Sequence, residues 1–265
     1  MKKKIKKLFL KKKYNQKIVS LTAYSKNIAK IIDSHCDLVL VGDSMANVLY
    51  GMKNTHKLSL ETIIQHGISV RLGIKKSLLV VDMPKNTYRT PLEAKRNAKK
   101  IIRKTKCDAI KIESNNKNFQ IIKTLVKSKI PVMGHIGYTP QYKKKFKIEG
   151  KNKKEEKKLM KEAKLIERAG AFSIVLECIS PNVAKKITEN LQISTIGIGS
   201  SSNCDGQILV TDDILGISGF YPKFIKRYVE LNRIIEKAVK KYSKEIRKNK
   251  FPRKKNFLYG KWVRK

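Results

Sequence analysis

Leu78-Leu79-Val80-Val81-Asp82 and Ala109-Ile110-Lys111-Ile112-Glu113 are the stretches that decide the fold. Each is a short apolar run, rich in aliphatic residues, that ends on an acid. Such runs read as strands of a parallel sheet covered on both faces. Between them, Thr90-Pro91-Leu92-Glu93 is a capping box with Pro91 at the first helical position. Leu92, Ala98, Ile101 and Ile102 then give the helix one apolar face. Strand, helix and strand make one βαβ unit.

The pattern extends in both directions. Residues 18–22, 38–41, 131–134, 173–176 and 195–198 read as further strands, and a weaker run lies at 208–210 or 214–217. Ser59 can cap a helix that turns Ile63, Ile64 and Ile68 inward, and Ser180-Pro181 opens another with Val183, Ala184 and Ile187. A fourth helix spans 153–169 and stops at Gly170. Seven or eight βα repeats in 265 residues predict a single-domain (β/α)8 TIM barrel. A doubly wound open sheet is the rival, but no Gly-x-Gly-x-x-Gly follows the first strand and no phosphate-binding Gly-x4-Gly-Lys-Ser/Thr loop occurs. The expected division is a basic, partly mobile arm at 1–17, the barrel at 18–236 and a basic extension at 237–265.

The net charge is +40, from 61 Lys and Arg against 21 Asp and Glu. It is unevenly spread: residues 1–17 carry +9, 143–161 carry +7 and 237–265 carry +12. Those ends and one polar loop hold 28 of the 40 excess charges, and lysine far outnumbers arginine. This fits a lysine-favouring composition at solvated positions better than a specific nucleic-acid surface. No RNP, KH or zinc-finger pattern is present. Tyr242, Phe251, Phe257, Tyr259 and Trp262 do interleave with the C-terminal lysines, which keeps weak, non-specific RNA binding as an alternative. No apolar run approaches the ~18 residues of a membrane span, and the apolar part of the basic N-terminus is too short for a signal peptide. Cys36, Cys107, Cys178 and Cys204 show no metal-ligand spacing and read as free thiols in a cytoplasmic protein.

Polar residues follow the apolar runs. Asp43 and Ser44 come after Val41-Gly42, Asp82 after Val81, Glu113 after Ile112, His135 after Gly134 and Glu177 after Leu176, while Lys111 lies within its strand. In a parallel barrel these positions converge on the C-terminal rim. Three carboxylates crowded there would repel one another, and a hard divalent cation relieves that; Asp43, Asp82 and Glu113 are the candidate Mg²⁺ ligands. Lys111 can hold a substrate carboxylate. Glu177, following three apolar residues, is the candidate base, since a partly desolvated carboxylate has a raised pKa. His135 reads as a ligand, an acid or an orienting donor. The plainer alternative is that these acids only cap the following helices. His35, His56 and His66 read as structural, and Cys178 as packing.

At these residues the chain resembles the 3-methyl-2-oxobutanoate (ketopantoate) hydroxymethyltransferases. The likeness runs from about residue 21 to 228 and includes Leu21-Thr22-Ala23-Tyr24, Leu40-Val41-Gly42-Asp43-Ser44, Val81-Asp82-Met83-Pro84 and Ile110-Lys111-Ile112-Glu113. It continues with Val132-Met-Gly-His-Ile-Gly-Tyr-Thr-Pro-Gln141, Val175-Leu176-Glu177-Cys178, Ile196-Gly197-Ile198-Gly199, Asp205-Gly206-Gln207 and Pro222-Lys223-Phe224. The resemblance implies transfer of a hydroxymethyl group from 5,10-methylenetetrahydrofolate to 3-methyl-2-oxobutanoate, giving 2-dehydropantoate on the route to pantothenate. It implies a (β/α)8 barrel in a homo-oligomer, commonly a decamer. It carries Asp43, Asp82 and Glu113 over as Mg²⁺ ligands, and Asp43, Ser44, Asp82 and Lys111 as oxo-acid contacts. Glu177 carries over as the proton acceptor, with His135 in support.

The chain departs from the family pattern at three places. Ser25 replaces the usual Asp, 142–150 lacks the usual Phe-Gly-Gly stretch, and Gly197-Ile198-Gly199-Ser200-Ser201 replaces Gly-Ile-Gly-Ala-Gly. A related Mg²⁺-dependent 2-oxo-acid lyase is the other enzymatic alternative, but the Lys-Lys-Cys-Gly-type loop expected of such enzymes is missing.

Overall fold

The computed structural model describes residues 3–114, 118–143, 146–219 and 221–257. It divides into two compact units, Met1–Thr211 and Asp212–Lys265.

The first unit opens on α1 (Lys3–Lys13) and β1 (Ile18–Thr22). There follow α2 (Lys26–Ile32), β2 (Leu38–Val41), α3 (Met45–Val48), α4 (Leu60–Arg71), β3 (Leu78–Asp82), α5 (Pro91–Thr105) and β4 (Ala109–Glu113). Then come α6 (Phe119–Lys127), β5 (Val132–Gly137), α7 (Lys153–Arg168), β6 (Ser173–Glu177), α8 (Pro181–Asn190), β7 (Ser194–Ile198) and β8 (Gly206–Leu209). The eight strands are all parallel and close in sequence order, with β8 pairing back on β1. This is the expected barrel. The helix starts also follow local chemistry. Thr90, Ser59 and Asn152 each accept a backbone N–H three residues on, and Pro91 sits at the start of α5.

The weaker eighth run resolves as β8, and the alternative at 214–217 fails. Ile214 closes the short helix α9 (Thr211–Ile214), where Asp212 and Asp213 favour a helical first turn. The fifth strand continues past 134 to Gly137, which puts His135 within it.

Strand alternation sorts the side chains. Leu38, Leu40, Leu78, Val80, Ala109, Met133, Val175, Ile196 and Ile208 fill one buried cluster inside the barrel. Val39, Val41, Leu79, Val81, Ile110, Ile112, Ile174 and Leu176 join the helices in the outer cluster. Inward positions recur every second residue. Asp82, Lys111, His135 and Glu177 each lie two residues beyond an inward apolar side chain, and Glu113 two beyond Lys111. Hence the interior is apolar below and ionisable above.

The basic arm is not an appendage. Ile5 and Leu8, both 1% exposed, join the interior cluster. Around them Lys7 and Lys11 pair with Asp37, Lys4 with Asp108 and Lys12 with Asp205. Those acids precede strands, so α1 closes the N-terminal end of the barrel. An open barrel would leave apolar strand ends in water, and Ile5 and Leu8, with the partly buried Phe9 of the same helix, cover them. Deleting residues 1–17 should therefore unfold the protein rather than leave it intact. Leu8→Ala alone should cost about 2–5 kcal/mol, read as a lower urea midpoint with an unchanged slope.

The second unit contains α10 (Leu231–Arg247), which buries no residue. The unit begins at 212 rather than at the expected 237. Among the described residues, no helix is long and apolar enough to cross a membrane.

Candidate active site

β2, β3, β4, β5 and β6 deliver the site. Asp43 follows β2 across Gly42, where a side chain would press on Ser44: its Cβ would stand 2.9 Å from Ser44 Oγ. Glycine there lets the turn approach Asp82 closely, and the Asp43 backbone N–H donates to Asp82 Oδ2 at 2.9 Å. Asp82 Oδ1 accepts from Lys111 Nζ at 2.5 Å. Ser44 Oγ lies 2.8 Å from the Tyr24 hydroxyl. Glu113 Oε2 accepts the Gln141 backbone N–H at 3.0 Å, whereas its Oε1 is buried without a hydrogen-bond partner. His135 lies between two acids: Nδ1 is 3.7 Å from Glu113 Oε1 and Nε2 is 3.1 Å from Glu177 Oε2. Neither ring nitrogen is aligned for a hydrogen bond to these acids, and the Tyr138 backbone adds a weak pull toward the charged ring.

Four carboxylates thus share a low-dielectric end with one buried ammonium. Burial pushes Asp82 up to about 6, with Lys111 opposing and Asp43 adding to the rise. Burial and the Asp43 charge hold Glu113 well above the usual carboxylate range. Lys111 faces the cost of burial, but Asp82, Asp43 and Glu113 together keep it charged. Burial, reinforced by Lys111, holds His135 well below its ordinary value, so it is neutral at pH 7. Glu177 is pushed up to about 8 by burial, against Lys111 and with Asp43. Its side chain keeps 18% exposure, so it faces the mouth.

Glu177 is held by its backbone. Its carbonyl accepts the Tyr138 N–H at 2.8 Å, and a Cβ at Gly137, which has φ +93°, would meet that oxygen at 2.1 Å. Ser200, where the family usually has Ala, donates to the Leu176 carbonyl at 2.8 Å and accepts the Ile179 N–H at 3.0 Å. It braces the end of β6 on which Glu177 stands. At the two ends of the altered 142–150 segment, Lys143 Nζ donates to the Gly137 carbonyl at 2.7 Å and pairs with Glu149 at 3.0 Å. Ser25 begins α2 without a side-chain cap bond.

All the strand-end residues singled out in the sequence lie at this end of the barrel. Asp43, Asp82 and Glu113 are each engaged by a neighbouring donor. Among the described residues, no three His, Cys, Asp or Glu side chains are grouped to hold a metal ion. Lys111 occupies Asp82, and Gln141 bonds to both Asp43 and Glu113. The donor chemistry still suits a hard cation. The donors are all carboxylate oxygens, Glu113 Oε1 is buried without a hydrogen-bond partner, and burial raises Asp82, Glu113 and Glu177 against the pull of Lys111. Gln141, which closes one of the stretches that carry the family resemblance, and Tyr88 join the site, although no role for either is read from the sequence. Both sit in loops, where no periodicity marks them.

The Ketopantoate hydroxymethyltransferase family model matches residues 2–254. A 3-methyl-2-oxobutanoate hydroxymethyltransferase of Pelagibacter ubique (strain HTCC1062) is 56% identical over 248 residues, covering 94% of this chain and 96% of that protein. One from Anaplasma marginale (strain Florida) is 46% identical over 244 residues, covering 91% and 88%. Among solved structures, a phosphonopyruvate hydrolase complex with oxalate and Mg²⁺ superposes with TM-score 0.62 at 11% identity, covering 94% of this chain and 89% of that one. A 2,3-dimethylmalate lyase of the PEP mutase/isocitrate lyase superfamily gives TM-score 0.60 at 11% identity, covering 96% and 91%. At that identity these two structures speak to the fold alone. The sequence matches extend over nearly the whole molecule, and they show that the chain belongs to the ketopantoate hydroxymethyltransferase family, enzymes of pantothenate biosynthesis.

Proposed function

We propose that the chain transfers a hydroxymethyl group from 5,10-methylenetetrahydrofolate to 3-methyl-2-oxobutanoate, giving 2-dehydropantoate, in a Mg²⁺-dependent reaction. The observation that carries this is the buried Asp82–Lys111 pair beneath a mouth-facing carboxyl of raised pKa. Asp43 and Asp82 would hold the cation, with Glu113 adding charge from behind Gln141. Mg²⁺, when bound, supplies Lewis-acid polarisation of the substrate's keto group. Lys111 and the Ser44 hydroxyl offer donors to the substrate carboxylate. Glu177 takes the proton from C3, and a raised pKa matches it to that task near neutrality. His135, neutral and 3.1 Å from Glu177 Oε2, can donate to that oxygen after a small rotation and orient the base. Burial of the surrounding groups keeps water from competing for the carbanion.

Four buried cysteines, none in a disulfide, suit a reducing, cytoplasmic setting. Assembly into a homo-oligomer is supported by α10, whose Ile234, Ile235, Val239 and Tyr242 are exposed. The deciding experiment incubates the protein with both substrates, with and without Mg²⁺, and measures 2-dehydropantoate. Metal-dependent product is expected. Cleavage of the oxo acid without folate would instead make the protein a lyase.

A further inference from the structure

Gln141 is 1% exposed and makes four hydrogen bonds. Its side-chain Nε2 donates to Asp43 Oδ2 at 2.9 Å and to the Met83 carbonyl at 3.0 Å. Its backbone N–H donates to Glu113 Oε2 at 3.0 Å. Its Oε1 accepts from the Tyr88 hydroxyl at 2.5 Å. Chemistry fixes which way the amide faces. The Met83 carbonyl can only accept, so the NH₂ must lie on the side that Met83 shares with Asp43. The oxygen is then left for Tyr88, a donor that burial, chiefly, keeps protonated. One residue earlier, His56 Nε2 donates to the Pro140 carbonyl at 3.0 Å and anchors the turn.

We propose that Gln141 is a positioning residue of the oxo-acid site, clamping Asp43 and Glu113, while Tyr88 anchors the amide oxygen and keeps the clamp in place. The functional part rests on the proposed transferase reaction; the clamp itself does not. Asp43 follows β2 and Glu113 closes β4, and two carboxylates held near one amide repel each other. A lysine or arginine between them would hold both, but would also cancel the negative field that suits a cation. A neutral amide with two separate donors, side chain for one acid and backbone for the other, holds them without that cancellation. Tyr88 makes no hydrogen bond to either acid; its hydroxyl bonds to Gln141 and also meets Tyr142, and it holds Asp43 and Glu113 through Gln141.

The test compares Tyr88→Phe, Gln141→Ala and the double variant. The binding of 3-methyl-2-oxobutanoate at saturating Mg²⁺ is measured by calorimetry. Gln141→Ala should weaken binding about 10- to 100-fold, the worth of a buried hydrogen bond to a charged group. Tyr88→Phe should weaken it about 10-fold, because the amide oxygen then loses its buried donor and the clamp loosens. The double variant should match Gln141→Ala alone, since a residue acting through another adds nothing once that one is gone. Additive losses would overturn the proposal, as would unchanged binding in Gln141→Ala. The second arm reads the clamp without substrate. The side-chain amide protons of Gln141, assigned from their absence in the Gln141→Ala spectrum, should exchange with water at least tenfold faster in Tyr88→Phe than in the native protein. Fast exchange in the native protein would defeat the clamp. If the native protein bound no oxo acid, the functional reading would fall, and amide exchange would still decide the geometry.

Discussion

Glu177→Gln should lower the Mg²⁺-dependent exchange of the C3 hydrogen of 3-methyl-2-oxobutanoate with D₂O by at least ~10²-fold, and should at the same time stabilise the protein at pH 8. Exchange needs only proton removal, so folate is not required, and Gln keeps the shape of the side chain without its basicity. The stability effect follows from burial. A free glutamate titrates near pH 4.5, whereas Glu177 is raised to about 8. Between those values the folded state binds more protons than the unfolded one, so rising pH draws the equilibrium toward unfolding. Gln carries no charge and escapes this. The variant should match the native protein below about pH 4.5 and gain about 2–4 kcal/mol by pH 8, measured as a difference in urea midpoint at the two pH values. In the native protein, kcat/KM for exchange should rise tenfold per pH unit below about 8 and level off above it, since that ratio reports the free enzyme. A variant with normal oxo-acid binding and normal exchange would show that another group is the base.

The same opposition between stability and chemistry explains which parts were legible in the sequence. Asp82, Lys111, Glu113, His135 and Glu177 each interrupt an apolar alternation at its C-terminal end. A polar residue in an inward phase stands out in the sequence itself, because packing alone would place an apolar one there. Asp43 is one step less visible, since it lies beyond its strand, but Val41-Gly42 marks where the strand ends. Tyr88 and Gln141 carry no phase. Loop residues are placed by contacts distant in sequence: Gln141 Nε2 reaches Asp43 from 98 positions away. The role of α1 was hidden for another reason. Its lysines dominate the composition of 1–17 and suggest a solvated arm, while only Ile5 and Leu8 carry the burial. Asp37, Asp108 and Asp205, the acids that answer those lysines, stand just before three different strands and become one rim only when the barrel closes.

The raised carboxyls explain why a single ammonium can be decisive. Lys111 is the only buried lysine among the described residues, and it faces Asp82 directly. Without it, Asp43, Asp82 and Glu113 would share their charge with no buried cation among them. Lys111→Met should therefore remove the donor for the substrate carboxylate and leave Asp82 unpaired. Unpaired, Asp82 should sit higher still, because burial already dominates its rise.

Asp82→Asn should abolish the dependence of oxo-acid binding on Mg²⁺, with an affinity loss of roughly 10²-fold at saturating metal. The two oxygens of Asp82 accept from two different donors, Lys111 Nζ and the Asp43 N–H. Asn has one oxygen and one NH₂, so it can serve one donor and must turn its own hydrogens toward the other. If the oxygen stays with Lys111, the turn at Asp43 loses its tie; if it stays with Asp43, the ammonium is stranded. Either way a carboxylate is lost from the pair that would hold the cation. Calorimetric titration of the oxo acid, with and without Mg²⁺, separates this from general damage. A merely loosened fold would weaken binding under both conditions and preserve the ratio between them. Loss of the cation site removes the ratio itself. Lys111→Met should do the reverse, weakening oxo-acid binding at every metal concentration while Mg²⁺ still improves it. If Asp82→Asn kept its Mg²⁺ response and Lys111→Met lost it, the roles of cation ligand and carboxylate donor would have to be exchanged between the two residues.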